Sequence, residues 1–177
     1  MQFPKLEIRN IKGSYVLEKD MNISFDDKRR KKLIVGKLKN NSVVTIYPNN
    51  KRLINVTGIR KGADILLLKD KIESQFNVKI KSFRIDSMML SRKIENTRFS
   101  LRKVMQCLES HKNYKFFKLD YNPESFHSPW YKSGGDYGSF NIFSTGSVTA
   151  MGVKTIEGIQ KINEMLTDAF CEENMLT

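Results

Sequence analysis

The chain has 177 residues, with 31 Lys and Arg against 19 Asp and Glu, a formal net charge of +12. Such a length suits one domain or two small fused ones and can bury a core without metal or disulfide; the two cysteines, Cys107 and Cys171, exclude a disulfide framework and read as ordinary thiols of a reducing compartment. No stretch approaches the roughly 20 apolar residues of a membrane span and the N-terminus lacks a signal peptide's apolar run, so an intracellular protein with no membrane partner is expected.

Residues up to 88 hold 20 basic and 9 acidic side chains (+11), and the remainder 11 and 10 (+1). So lopsided a field points to a polyanionic partner, nucleic acid above all. Residues 5–18 predict a strand around Gly13, rich in β-formers such as Ile8, Tyr15 and Val16. Residues 19–31 are polar, and the run from Lys28 to Lys32 reads equally as a solvated loop, a localisation signal or a phosphate contact. Short strands follow at 33–38, 43–47 and 52–57, separated by the turn signals Asn40-Asn41 and Pro48-Asn49-Asn50 and closed by Gly58. A helix is predicted over 62–76, where Ile65, Leu68 and Ile72 share one face with Leu67 nearby.

The pattern then restarts. Residues 79–90 predict a strand, and 100–111 a helix with Ser100 as N-cap and Leu101, Val104, Met105 and Leu108 as its stripe. Strands at 140–143 and 148–151 flank the turn Ser144-Thr145-Gly146. A last helix, 155–170, puts Ile156, Ile159, Ile162, Met165 and Leu166 on its apolar side. Both halves end strand–turn–strand–Gly–helix. Ile46 precedes Gly58 by 12 residues and Ile142 precedes Gly152 by 10, so the first turn carries two extra residues of a diverged internal duplication.

Enzyme chemistry finds no foothold. His111 and His127 lie far apart and join no Cys or carboxylate at ligand spacing. Gly134-Gly135 and Gly138 lack the strand–loop–helix context of a phosphate loop, and Ser133 sits in no nucleophile elbow. A non-enzymatic protein without metal, cofactor or small-molecule substrate is expected.

The segment Tyr121-Asn122-Pro123-Glu124-Ser125-Phe126, the hairpin Ile142-Phe143-Ser144-Thr145-Gly146 and the run Gly152-Val153-Lys154 resemble, in that order, the second repeat of the TATA-box-binding protein (TBP) family. Ile8-Arg9-Asn10-Ile11 and Val56-Thr57-Gly58 resemble its first repeat. The resemblance implies an α+β, TBP-like saddle: two pseudo-symmetric repeats, 1–78 (shortened) and 79–177, forming a curved antiparallel sheet with helices on its convex face. It further implies a transcription initiation factor that binds and bends AT-rich promoter DNA through the minor groove, with initiation factors and RNA polymerase as partners. The alternative is a scaffold of the same fold that docks them without binding DNA. RNA binding is a third reading, without the RNA-recognition signature that would support it.

By the same resemblance Phe126 and Phe143 match the family's wedge residues, and Tyr47 takes the hairpin wedge position of the first repeat, whose other wedge falls among Lys31, Lys32 and Leu33. Asn10 and Thr57 match groove-reading residues. Asp86 stands at the position partnering Asn10, and Met151 replaces a threonine. A carboxylate there cannot donate to the acceptors of an A·T minor groove. Lys37, Lys51, Arg52, Arg60, Lys132 and Lys154 are candidate phosphate contacts, and Glu124 matches a partner-binding stirrup residue. The divergence resembles a virus-encoded or specialised paralogue, implying a nuclear site of action, or a cytoplasmic site of viral transcription.

Overall fold

The computed structural model describes residues 4–21, 33–37 (backbone alone), 42–47, 50–124 and 127–176. Its strands are β1 (Glu7–Leu17), β2 (Leu33–Lys37), β3 (Val43–Ile46), β4 (Leu53–Ile59), β5 (Ile80–Arg92), β6 (Phe117–Asp120), β7 (Trp130–Ser133), β8 (Ser139–Ile142) and β9 (Val148–Val153). The helices are α1 (Gly62–Phe76), α2 (Leu101–Ser110) and α3 (Ile156–Ala169). They divide between two compact units: Arg9–Ser87, the first unit, and Met1–Ile8 with Met88–Thr177, the second. None of the described helices is long and apolar enough to cross a membrane.

In the first unit the hydrogen-bonded strand order is β2-β3-β4-β1-β5. Period-two alternation buries Val44, Ile46, Ile54, Val56, Tyr15 and Leu17, together with Leu68 and Ile72 of α1. The Tyr15 hydroxyl donates to the Ile65 carbonyl of that helix. Asn77 ends α1 in the left-handed region (φ 49°), its N–H returning to the Glu73 carbonyl. The Phe83 ring packs on Tyr15 at 4.8 Å and lies across Gly13, where a Cβ would fall 2.3 Å from Phe83 Cζ and 2.7 Å from the Arg84 carbonyl. Only glycine admits that approach. Leu67 departs from expectation: it is 67% exposed and Leu66 beside it 66%, because the buried stripe of α1 narrows to Leu68 and Ile72.

In the second unit the order is β5-β9-β8-β7-β6. Tyr131 stacks on Phe140 at 4.9 Å, Phe117 meets Phe140 edge-on at 5.3 Å, and Phe99 meets Phe170 at 4.9 Å. Ser100 caps α2 by accepting the Lys103 N–H, and Thr155 caps α3 by accepting the Gly158 N–H. Arg92 is buried; its guanidinium donates to the Pro4 and Leu166 carbonyls and lies 5.1 Å from the Phe170 ring centroid, and burial lowers its pKa to about 10. The β6–β7 hairpin was not anticipated, since four-residue strands carry too little periodicity to register. Ile156 was expected on the apolar side of α3 but is 61% exposed, standing in the first turn ahead of the buried Gly158, Ile162, Met165 and Leu166.

The duplication is written in the register. Ile11 faces Ile59 as Met88 faces Val153, Gly13 faces Val56 as Leu90 faces Ala150, and Ser14 faces Asn55 as Ser91 faces Thr149; each β1 residue lies 77 positions before its β5 counterpart. The order β2-β3-β4-β1 repeats as β7-β8-β9-β5. Ile46 pairs with Ile54 and Ile142 with Val148, which locates the two extra residues in the first unit's hairpin. Helix α2 and strand β6 have no first-unit counterpart among the described residues.

Candidate nucleic-acid interface

Each unit buries one sheet face beneath its helices and leaves the alternate side chains half-buried or exposed. In the first unit these include Val43, Thr45, Leu53, Asn55 and Thr57. In the second, Trp130, Asn141, Thr149 and Ser91 fall in one cross-strand row, and Lys118, Lys132, Ser139 and Met151 in the next. Both faces mix small polar, apolar and basic side chains.

A β-bulge shapes each face. Between Ile11 and Gly13 the register on β4 advances by three residues, from Ile59 to Val56, and between Met88 and Leu90 that on β9 advances from Val153 to Ala150. The extra residue is accommodated at a glycine of positive φ, Gly58 (88°) or Gly152 (73°), a conformation costly for any side chain bearing a Cβ. In the first unit Asn10 Oδ1 accepts the Gly58 N–H at 2.7 Å, and Asn10 Nδ2 lies 3.5 Å from Thr57 Oγ1. Two of the sequence-predicted residues, Asn10 and Thr57, are thus brought together. The Gly58 N–H also settles the amide orientation: the oxygen points to the backbone, leaving the NH2 group outward beside the exposed Thr57.

The 77-residue offset, extended past the paired Ile11 and Met88, sets Ser87 against Asn10 and Asp86 against Arg9. Asp86 Oδ2 lies 2.6 Å from the Ser14 hydroxyl and Oδ1 accepts from Arg84 Nε at 2.9 Å. Ser14 Oγ also lies 2.9 Å from Asn55 Oδ1. One hydroxyl proton cannot serve both oxygens, so with Asp86 as acceptor Asn55 turns its NH2 toward Ser14. The Asp86 carboxylate is therefore held inside a first-unit network.

The hairpin aromatics occupy equivalent positions. Tyr47 follows β3, 39% exposed, its carbonyl accepting the Asn50 N–H. Phe143 follows β8, half-buried, its carbonyl accepting the Gly146 N–H in a tight turn. Phe126 and Ser125 lie outside the described residues, as do Lys31, Lys32 and the run from Lys28, and of Leu33 and Lys37 only the backbone is described. Glu124 is exposed in an Asx turn, its N–H donated to Asn122 Oδ1.

The cations divide. Arg52 pairs with Asp20 at 2.8 Å, Lys154 with Asp136 at 3.0 Å, and Lys132 with Asp120. The hydrogen bond and charge of Lys132 hold the Asp120 carboxyl below its usual range. Lys51 and Arg60 are exposed and make no ion pair among the described residues. Trp130, Met89 and Lys118 join the exposed sheet faces without having been anticipated. Alternation about the buried Tyr131 would have flagged Trp130 and Lys132 as neighbours, had β7 been recognised as a strand. Among the described residues no three His, Cys, Asp or Glu side chains are grouped to hold a metal ion.

This element order and pairing define the α+β class expected above, the TBP fold. The solved structure of Methanococcus jannaschii TBP superposes with a TM-score of 0.62 over 92% of this chain and 98% of that one, at 15% identity. No protein-family model matches the sequence, nor does any curated protein. The likeness therefore lies in the path of the backbone.

Proposed function

We propose that the protein is a non-enzymatic, TBP-like transcription initiation factor whose uncovered sheet faces bind and bend AT-rich promoter duplex through the minor groove, residues 1–78 and 79–177 being its two repeats. Initiation factors and RNA polymerase are its protein partners, Glu124 contributing to their docking. It acts in the nucleus, or at a cytoplasmic site of viral transcription if a virus encodes it. The observation that carries this reading is the recurrence, in two units of matching register, of a helix-free face ending at an accessible aromatic, Tyr47 in one and Phe143 in the other. Wedging apolar side chains between base steps costs a few kcal/mol per step in minor-groove binders as a class, TBP among them, and the bent duplex offsets this by contacting more protein. Lys51, Arg52, Arg60, Lys132 and Lys154 supply the phosphate contacts.

A second reading, a scaffold that docks the machinery without gripping DNA, is favoured by the three cations already neutralised by aspartates and by Asp86 on the first-unit face. Gel-shift titration on AT-rich duplexes at low and moderate salt separates the two: absence of a complex at low salt selects the scaffold. Within the DNA-binding reading, Tyr47→Ala with Phe143→Ala reduces the bend between end-labelled fluorophores while retaining binding at low salt. An unchanged bend removes the wedge assignment.

A further inference from the structure

Helix α1 carries more leucine on its outer side than its packing uses. Leu68 and Ile72 are buried, while Leu66 and Leu67 are 66% and 67% exposed. A lone exposed leucine is ordinary. Here two adjoin Ala63, also exposed, at helical spacing, and the three form one apolar patch. The patch is framed by Asp64, Asp70 and Lys71, whose charges make no ion pair among the described residues. Residues up to 88 carry a net charge of +11, a field that repels a second copy of the chain. Across Gly62–Phe76 two lysines meet three acidic residues, so that repulsion is lifted on this surface.

The patch is also self-complementary. With about 3.6 residues per turn, Ala63 and Asp70 lie near one line along the helix, and Leu66 and Leu67 about 50° to either side of it. When a second α1 lies antiparallel to the first across a twofold axis level with the leucines, each leucine meets its own counterpart. Asp64 and Lys71 share one flank, so the same operation brings Asp64 of one copy within about 3 Å, measured along the axis, of Lys71 of the other. That contact occurs twice. Each Asp70 falls beside Ala63 of the other copy, in the first turn of its helix, where the dipole favours a carboxylate.

We infer that two copies of the chain pair through this surface, α1 against α1 at Leu66 and Leu67, with Asp64 of each copy facing Lys71 of the other. The buried Tyr15 side chain reaches the Ile65 carbonyl of α1 from the first-unit sheet, so the helix covers the buried side of that sheet. A pair joined through the outer side of α1 leaves the uncovered face of each first unit open. The pairing does not depend on the DNA-binding reading. One helix pair makes a small interface of the transient kind, so association depends on concentration.

The test is sedimentation equilibrium of the full chain from about 1 to 100 µM, the range in which a contact of this size dissociates. The mean mass should rise with concentration from that of one chain toward that of two. Leu66→Gln with Leu67→Gln should hold it at one chain throughout. Asp64→Lys sets lysine against lysine at both contacts, and Lys71→Asp sets aspartate against aspartate. Either change alone should weaken pairing about tenfold, two attractive pairs having become repulsive. An equimolar mixture of these two variants restores both opposite-charge contacts and should pair as tightly as the wild type, a rescue that neither a disrupted helix nor a contact elsewhere on the chain would give. A protein monomeric at every concentration overturns the inference. So does a dimer that survives replacement of both leucines, or a mixture that pairs no more tightly than its components alone.

Discussion

Replacing Lys51 and Arg60 by glutamine tests how the basic residues act. These two are exposed and make no ion pair among the described residues, whereas Arg52, Lys132 and Lys154 each face an aspartate. An exposed pair contributes little stability, so a phosphate can compete for the cation, but the abandoned carboxylate then stands close to the DNA and cancels much of the counterion release. On a duplex, each neutralised phosphate contributes a slope of about −0.9 in log K against log salt. Two free cations then account for about −2 of the slope, and all five for about −4.5, by the same relation. The Lys51→Gln, Arg60→Gln variant should be shallower than wild type by about 1.8 and weaker at low salt, equally on every sequence. Asp120→Asn with Asp136→Asn, which unpairs Lys132 and Lys154, should steepen the slope by up to about 1.8. Fluorescence anisotropy on one AT-rich duplex between about 50 and 200 mM salt measures both. A slope unaltered by the first pair, or made shallower by the second, would refute the division of the cations.

Three further outcomes concern the fold. Gly13→Ala sets a methyl 2.3 Å from Phe83 Cζ and 2.7 Å from a backbone carbonyl, and overpacking of this kind costs about 1–3 kcal/mol; an unchanged denaturant midpoint would disprove the close approach. The buried tyrosines should behave oppositely on removal of their hydroxyls. Tyr15→Phe loses the hydrogen bond to Ile65 and should destabilise by about 1 kcal/mol, whereas the Tyr131 hydroxyl has no partner among the described residues, so Tyr131→Phe should be neutral or stabilising. Burial raises both phenol pKa values. With folded pKa values above the unfolded value of about 10, the tyrosines favour neither state below pH 10, and stability falls as pH rises beyond it. Chemical denaturation from pH 8 to 11 should show that decline, reduced in the Tyr15→Phe, Tyr131→Phe double variant. An equal decline in both proteins excludes the tyrosines as its source.

Much of this could be read in one dimension. The helix at Gly62–Phe76 coincides with its predicted span, Ser100 caps α2 as expected, and the extra residues between Ile46 and Gly58 are where spacing placed them. These features rest on period and composition over windows of ten residues or more, or on a cap whose geometry is local. The four-residue strands of the β6–β7 hairpin were missed, and with them Trp130 on the exposed face. Leu67, near the predicted apolar face of α1, and Ile156, on that of α3, are exposed, because hydrophobicity marks what a residue prefers and an amphipathic helix has room for only one stripe.

Linear order thus established a basic, doubled α+β chain with glycines ending two hairpins, since repeated patterns and turn chemistry survive without knowledge of neighbours. Which side chains meet was decided by packing. Strand register, set by the bulge at Gly58, put Asn10 beside Thr57. Ion pairing with aspartates engaged three of the cations. Both depend on contacts between residues from 12 positions apart, Asp120 and Lys132, to 48, Asn10 and Gly58, distances over which no sequence period extends.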